Sequence, residues 1–246
     1  MWSTDMDISL KDREFISSVS ITDIPWRRLV CSSGRAGNFP QWLNDISELK
    51  SRSNINFALS SLSQDMEHQS TLWHCTPFAL IFAVRALDNA LQQLEQNELA
   101  DFLAGELIDW FAWLNRGINE IEAYEHAAPL EHFADLLDER YLLPDVNSHD
   151  NDDDDGNNIA DKSGDEDEES DDEDDDWEED EDDADDCFEE DLDYPDNVFY
   201  SFYYYSKVAI ESSREVIIRH YAVLNDNLRS LTQELFPDLI VNELKI

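Results

Sequence analysis

Residues 150–196 carry thirty acidic side chains and one base, Lys162. Like-charge repulsion opposes collapse of such a run. Its only large apolar groups are Ile159, Trp177, Phe188 and Leu192, with Tyr194 near its edge, too few to build a core. The tract is therefore expected to be disordered, and any fold has to be assembled from the two flanks. Of the formal net charge of −43, the tract supplies −29 and the other 199 residues −14. Hydrophobic residues make up 41% of the chain, enough for a real core in one sizeable domain or two.

The flanks read as helices. Pro40 begins a stretch in which Trp42, Leu43, Ile46 and Leu49 fall on one face, with Asn38 as its cap. A second helix is expected over 54–66, capped by Ser53 or Asn54, with Ala58, Leu59, Leu62 and Met66 as its stripe. The run from Phe78 to Val84 is apolar all round, which predicts a helix buried on most sides, broken in pattern only by Arg85. Asn97 opens a long helix over 97–122, with Leu99, Leu103, Leu107, Trp110, Leu114, Ile118 and Ile121 in register and Phe102, Phe111 and Trp113 widening the stripe. Gly105 and Gly117 interrupt its propensity. A shorter helix is expected from Pro129 to Leu142, another over 199–223 and a last over 227–237. No Asn-Gly hairpin signal occurs and strict alternation is scarce. The first twenty residues are polar and weakly patterned.

Three widely spaced cysteines, Cys31, Cys75 and Cys187, are no disulfide framework. The N-terminus lacks a basic start followed by an apolar run, and PFALIFAV is too short to span a bilayer. A reduced, cytoplasmic protein is expected.

Trp26, the loop SGRAGNFPQWL, the helix FALSSL, and then His68, Gln69, Ser70, Thr71, Trp73, Thr76, Pro77 and Phe78 follow one another in the first flank. With these, the segment 24–88 resembles a group of bacterial HEAT-repeat-like proteins. The C-terminal AVLNDNLRSLTQELFPDL is similar to a HEAT pair, with Arg229 in its second helix. Ser70 stands where that group has glycine, Cys75 replaces a small residue, and the acidic insert is foreign to the pattern. The resemblance implies an all-α fold: a short HEAT-like α-solenoid of antiparallel helix pairs, interrupted by the insert. The expected organisation is an extension at 1–20, repeats over 21–149, the insert at 150–196 and a helical pair over 197–246. Such solenoids are binding scaffolds of diverse roles.

Chemistry has one dense candidate, EHQSTLWHCT at 67–76. Glu67, His68, His74 and Cys75, with Cys31, could be imagined as a metal or nucleophile site. Zinc sites favour closely paired ligands, yet His68 and His74 are six apart and neither CxxC nor HExxH occurs. The competing reading is a helix–helix connection. There His68 and Gln69 bond helix-end carbonyls, Thr71 and Trp73 belong to the linker, Thr76 caps the buried helix and Pro77 begins it. Glu120, Glu122, Glu125 and Asp135 read as solvated acids rather than an acid–base pair. NDDDDG at 151–156 approaches a calcium loop, but its twelfth position is Lys162 where glutamate is needed. No P-loop, GxGxxG or GxSxG occurs, and no cofactor is called for.

The charge disfavours direct binding to nucleic acid or membrane and favours one basic protein as partner. The expected function is a non-catalytic interaction module, an immunity or antidote protein that neutralises a basic bacterial toxin. Candidate partner-binding residues are Asp171, Asp172, Glu173, Asp174, Asp175, Asp176, Trp177, Glu178 and Glu179 in the tract, with Tyr203 and Tyr204 in the aromatic run FYSFYYYS. The alternatives are an acidic chaperone or nucleic-acid mimic acting through the tract, and a metalloprotein or enzyme centred on His68, His74 and Cys75.

Overall fold

Each strong apolar stripe forms a helix. The structure is a computed structural model that describes residues 8–69, 71–121, 126–145 and 194–239. All of these except Asp145 belong to the unit formed by 1–144 and 192–246. Its helices are α1 (Leu10–Ser18), α2 (Phe39–Ser47), α3 (Arg52–Met66), α4 (Thr76–Gln92), α5 (Glu98–Glu120), α6 (Asp196–His220) and α7 (Asp226–Leu235). Two antiparallel hairpins interrupt them: β1 (Val30–Cys31) with β2 (Gly34–Arg35), and β3 (Glu67–His68) with β4 (Thr71–Leu72). The fold is mostly α.

The starts of α3 and α5 follow side-chain chemistry, whereas Asn38 stands at the cap position of α2 without a side-chain bond. Ser51 caps α3 by accepting from the Asn54 N–H, two residues before Ser53 and three before Asn54. Asn97 caps α5 through the Leu99 N–H, as its sequence position indicates. Helix α5 runs unbroken through both glycines.

Helix α4 is the centre. Nearly all of it is buried, and it packs against α2, α5 and, most extensively, α6. α2 and α3 pair, as do α4 and α5, and α5 also packs on α7. Thus α2, α4 and α6 lie side by side, while α5 and α7 lie in a second row. The exceptions to α4's apolar pattern have assigned work. Arg85 donates to the carbonyls of Ile16 (2.8 Å) and Val19 (2.7 Å), satisfying the C-terminal end of α1. Asn89 donates to the Ser47 carbonyl at the end of α2 (2.9 Å). Asp88 meets Arg219 and His220 at the end of α6.

Three expectations are corrected. The polar N-terminus contains α1, whose Asp12 is buried and accepts the Phe133 N–H at 2.8 Å. Its signal is capping and polar burial rather than an apolar stripe. The helix expected from Pro129 to Leu142 is instead two 3₁₀ turns, Phe133–Leu137 and Glu139–Tyr141. Asp135 accepts the His132 N–H and Asp138 the Arg140 N–H, so local side-chain bonds compete with a continuous helix. Composition places the end of the insert at Asp196, yet Tyr194 is buried and Asp196 is the first residue of α6. The disorder expected of the rest of the tract lies outside the described residues.

At Gly105 an added Cβ would sit 3.8 Å from Leu228 and 4.0 Å from Leu231 of α7, ordinary contact with little room beyond. Gly105→Ala should stabilise by about 0.5–1 kcal/mol through helix propensity. Gly105→Leu should overpack the α5–α7 seam and cost about 1–3 kcal/mol. Urea unfolding of both variants checks the pair, and a neutral leucine would show that the seam is looser than described.

Candidate functional site

The segment 67–76 divides into two parts. Glu67 to Leu72 form the β3–β4 hairpin, with Glu67 opposite Leu72 and His68 opposite Thr71. Gln69 takes a positive φ of 52°, the left-handed conformation that a tight turn needs and that favours glycine. His68 is exposed on this hairpin. The α3 terminus is satisfied instead by Thr76, whose hydroxyl donates to the Met66 carbonyl (2.5 Å) and accepts the Trp73 N–H (3.1 Å). The cap position of α4 belongs to Cys75, with Thr76 and Pro77 opening the helix.

His74 is fully buried. Its Nε2 lies 2.8 Å from the Leu136 carbonyl, which can only accept, so Nε2 carries the proton. Nδ1 then presents its lone pair to the Tyr194 hydroxyl at 3.1 Å, whose single proton also faces the Tyr141 carbonyl at 3.1 Å. The ring stacks on Phe202, centroids 5.1 Å apart. Burial pushes the imidazole down to about 4, against the pull of its carbonyl partners. It therefore stays neutral near pH 7, joining α4 to the 3₁₀ segment and to the start of α6.

The two described thiols, Cys31 and Cys75, are likewise held in the neutral form at neutral pH. Burial raises Cys75 well above its ordinary range and takes Cys31 to about 11. Cys31 and Ser33 turn toward Asp65, Sγ at 3.8 Å and Oγ at 3.0 Å from its Oδ2. Nucleophilic attack needs a thiolate, which this setting disfavours. His68, His74 and Cys75 are thus not brought together as a centre. Among the described residues no three His, Cys, Asp or Glu side chains converge as a metal site requires.

The aromatic run is divided by α6. Tyr203 is buried beneath the hairpin and its hydroxyl accepts the Leu72 N–H at 3.3 Å. Tyr204 is half-buried on another face, its ring 5.1 Å from Tyr205, and desolvation with the nearby Asp12 charge raises its phenol. The two tyrosines therefore do not make one surface. Asp135 serves its own turn, and Glu120 is exposed at the end of α5. Glu122, Glu125, Ser70, Cys187 and the candidates Asp171 to Glu179 lie outside the described residues.

A different surface gathers more chemistry. Helices α3 and α5 touch where the Arg52 guanidinium covers the Phe102 ring at 4.0 Å. Farther along, a cleft of about 530 Å³ separates Leu59, Ser63 and Gln64 of α3 from Asp109, Trp110 and Trp113 of α5. A second cleft, of about 430 Å³, continues past Trp113 to Leu72, Gly117 and Tyr203. Glu67, Trp113 and Arg116 border both. Trp113 is 45% exposed. On α5, Glu106, Asp109, Trp113, Arg116 and Glu120 recur at helical spacing on the face opposite the core. Trp113, expected from hydrophobicity to widen the buried stripe, lies instead on this outer face, and the signal that marks it is the polar periodicity around it.

No family model, curated protein or solved structure matches the chain. Among the described residues no helix is long and apolar enough to cross a membrane.

The buried imidazole makes a pH prediction. In the unfolded chain His74 takes a proton below about 6.5, whereas in the fold it resists until about 4. Its contribution is complete above pH 6.5 and is lost as pH falls toward 4. The expected loss is about 3 kcal/mol. His74→Gln keeps an amide donor for Leu136 but does not titrate. Denaturation curves between pH 7 and 4 should fall more steeply for the native chain than for the variant. Parallel slopes would mean that His74 titrates alike in both states.

Proposed function

We propose that this chain is a non-catalytic interaction protein that binds one basic protein. The specific form that fits best is a cytoplasmic immunity or antidote protein that masks a basic bacterial toxin. The observation that carries the reading is where the negative charge sits. Apart from the tract, the chain still has a charge of −14, and part of it surrounds the exposed Trp113 on α5. An aromatic anchor ringed by carboxylates suits a cationic surface, because charge speeds encounter and the aromatic slows release.

The packing supports the HEAT-like solenoid reading. Two successive hairpins, α2–α3 and α4–α5, place α2 beside α4, α6 continues that row beside α4, and α7 packs beside α5. This is how repeats that contact only their neighbours stack. The free, buried Cys31 and Cys75 suit a reducing compartment. The tract's charge of −29 favours a second reading, in which it alone captures basic proteins as an acidic chaperone does.

The two readings separate by deletion. The cut must span 150–193 and stop there, because Tyr194 bonds His74 and Asp196 begins α6. The full chain and this deletion serve as parallel baits in a host lysate, with mass spectrometry of what each retains. One stoichiometric basic protein on both baits is expected, binding the full chain with an on-rate that falls steeply with salt. A crowd of basic proteins on the full chain alone would instead make the tract a generic polyanion and overturn the single-partner reading.

A further inference from the structure

We propose that the cleft between α3 and α5 is the docking site for an arginine-bearing segment of the basic partner, with Trp113 as the platform for the cation. The inference rests on the interaction reading above and goes further by naming the surface and the side-chain chemistry.

Charge complementarity selects the occupant. Four carboxylates, Glu67, Glu106, Asp109 and Glu120, border the two clefts against a single cation, Arg116. Glu106, Asp109 and Glu120 are exposed and form no ion pair among the described residues. An anionic segment would be repelled here, and a purely apolar one would leave these carboxylates beside an unfavourable neighbour. A guanidinium satisfies both parts of the site. It can lie flat on an indole face and donate to a carboxylate from its edge at the same time. Asp109 is one turn before Trp113 on α5, and Glu106 one turn before Trp110. The same helix already carries an arginine on an aromatic ring, Arg52 over Phe102, at the closed end of the α3–α5 interface.

Shape also supports a segment of chain. The two clefts are contiguous around Trp113 and follow α5 from Glu106 to Glu120. That is fifteen helical residues, about 21 Å of helix axis. Gly117 keeps the second cleft open, since an added Cβ there would meet nothing within 4 Å.

Gly117 also supplies a variant that leaves the fold alone. Gly117→Leu removes a helix-weakening glycine and places its side chain in the cleft. Trp113→Ala removes the platform from an exposed position. The probe is a synthetic dodecapeptide of alternating arginine and alanine with a photo-crosslinking group, used with the full chain at physiological salt. Crosslink sites are mapped by mass spectrometry and affinities measured by anisotropy. The expected result is crosslinks on α3 and on Glu106–Glu120 of α5, with affinity for that site weakened about tenfold by either substitution. Crosslinks confined to 150–193, with affinity unchanged in both variants, would overturn the cleft as the site while leaving the basic-partner reading standing. Failure of the peptide to bind at all would overturn both. Equal competition by spermine and by the peptide would show a site for small polycations and sink the docking of a protein segment.

Discussion

Over Phe78 to Val84 helix α4 is apolar on every side, and a helix like that is stable only when neighbours cover it all round. Its cover comes from both flanks of the acidic tract: α2 and α5 from the first, α6 from the second. Among the described elements the α4–α6 contact is the most extensive, although more than a hundred residues separate the two helices. The fold therefore depends on a pairing that closes a long loop across a self-repelling segment. Loop-closure entropy grows only logarithmically with length, so burying α4 can offset a long insert where it could not offset an exposed core. The aromatic cluster of Phe78, Phe133, Tyr205, Phe202 and Tyr194 meets around His74 at this junction.

Polar groups within the junction set its geometry more than its strength. His74 is placed where both ring nitrogens have partners, one on the 3₁₀ segment and one at the start of α6. The Tyr205 hydroxyl donates to the Leu130 carbonyl at 2.6 Å, and Ser201 accepts the Leu130 N–H at 2.8 Å, so α6 pins the same segment again. A buried donor or acceptor left unmade costs more than a made bond gains. These bonds thus discriminate against other registers of α6 on α4. Arg85 and Asn89 act similarly, extending from the core helix to the carbonyl ends of α1 and α2.

The helices that bury the most apolar surface were legible in the sequence. Phe78 to Val84 shows in an unbroken apolar run, the stripe of α5 shows in its periodicity, and Asn97 marks its own cap. What was hidden depends on partners distant in sequence or on short local bonds. Asp12 is buried because Phe133 needs an acceptor, which no local pattern around residue 12 reveals. The hairpin at 67–72 has strands of two residues, below the length at which alternation can be seen. Histidine, cysteine and threonine crowded at 67–76 looked like chemistry. They form instead a junction whose polar groups are aimed at backbone: Thr76 at Met66, His74 at Leu136. Trp113 was misplaced for the opposite reason. Hydrophobicity alone assigns an aromatic to the core, and only the charges at Glu106, Asp109, Arg116 and Glu120 mark its face as the outer one.

That outer face and the tract would act on a cationic partner at different ranges. At physiological salt, attraction between exposed charges fades over about 8 Å. In the proposed reading, a tract of −29 would raise the frequency of encounter without fixing an orientation. A structured cleft does the reverse: its few carboxylates add little at a distance, but an indole held on a rigid helix restricts how a guanidinium can lie. The β3–β4 hairpin contributes to that restriction. It follows α3, carries Glu67 and Leu72 to the cleft wall, and is held to α6 by the Tyr203 hydroxyl on the Leu72 N–H. The cleft wall is thereby tied to the same α6 that completes the core. The cleft wall beside Trp113 is thus tied through the hairpin to the helix that covers α4, so the proposed recognition would depend on the integrity of the core.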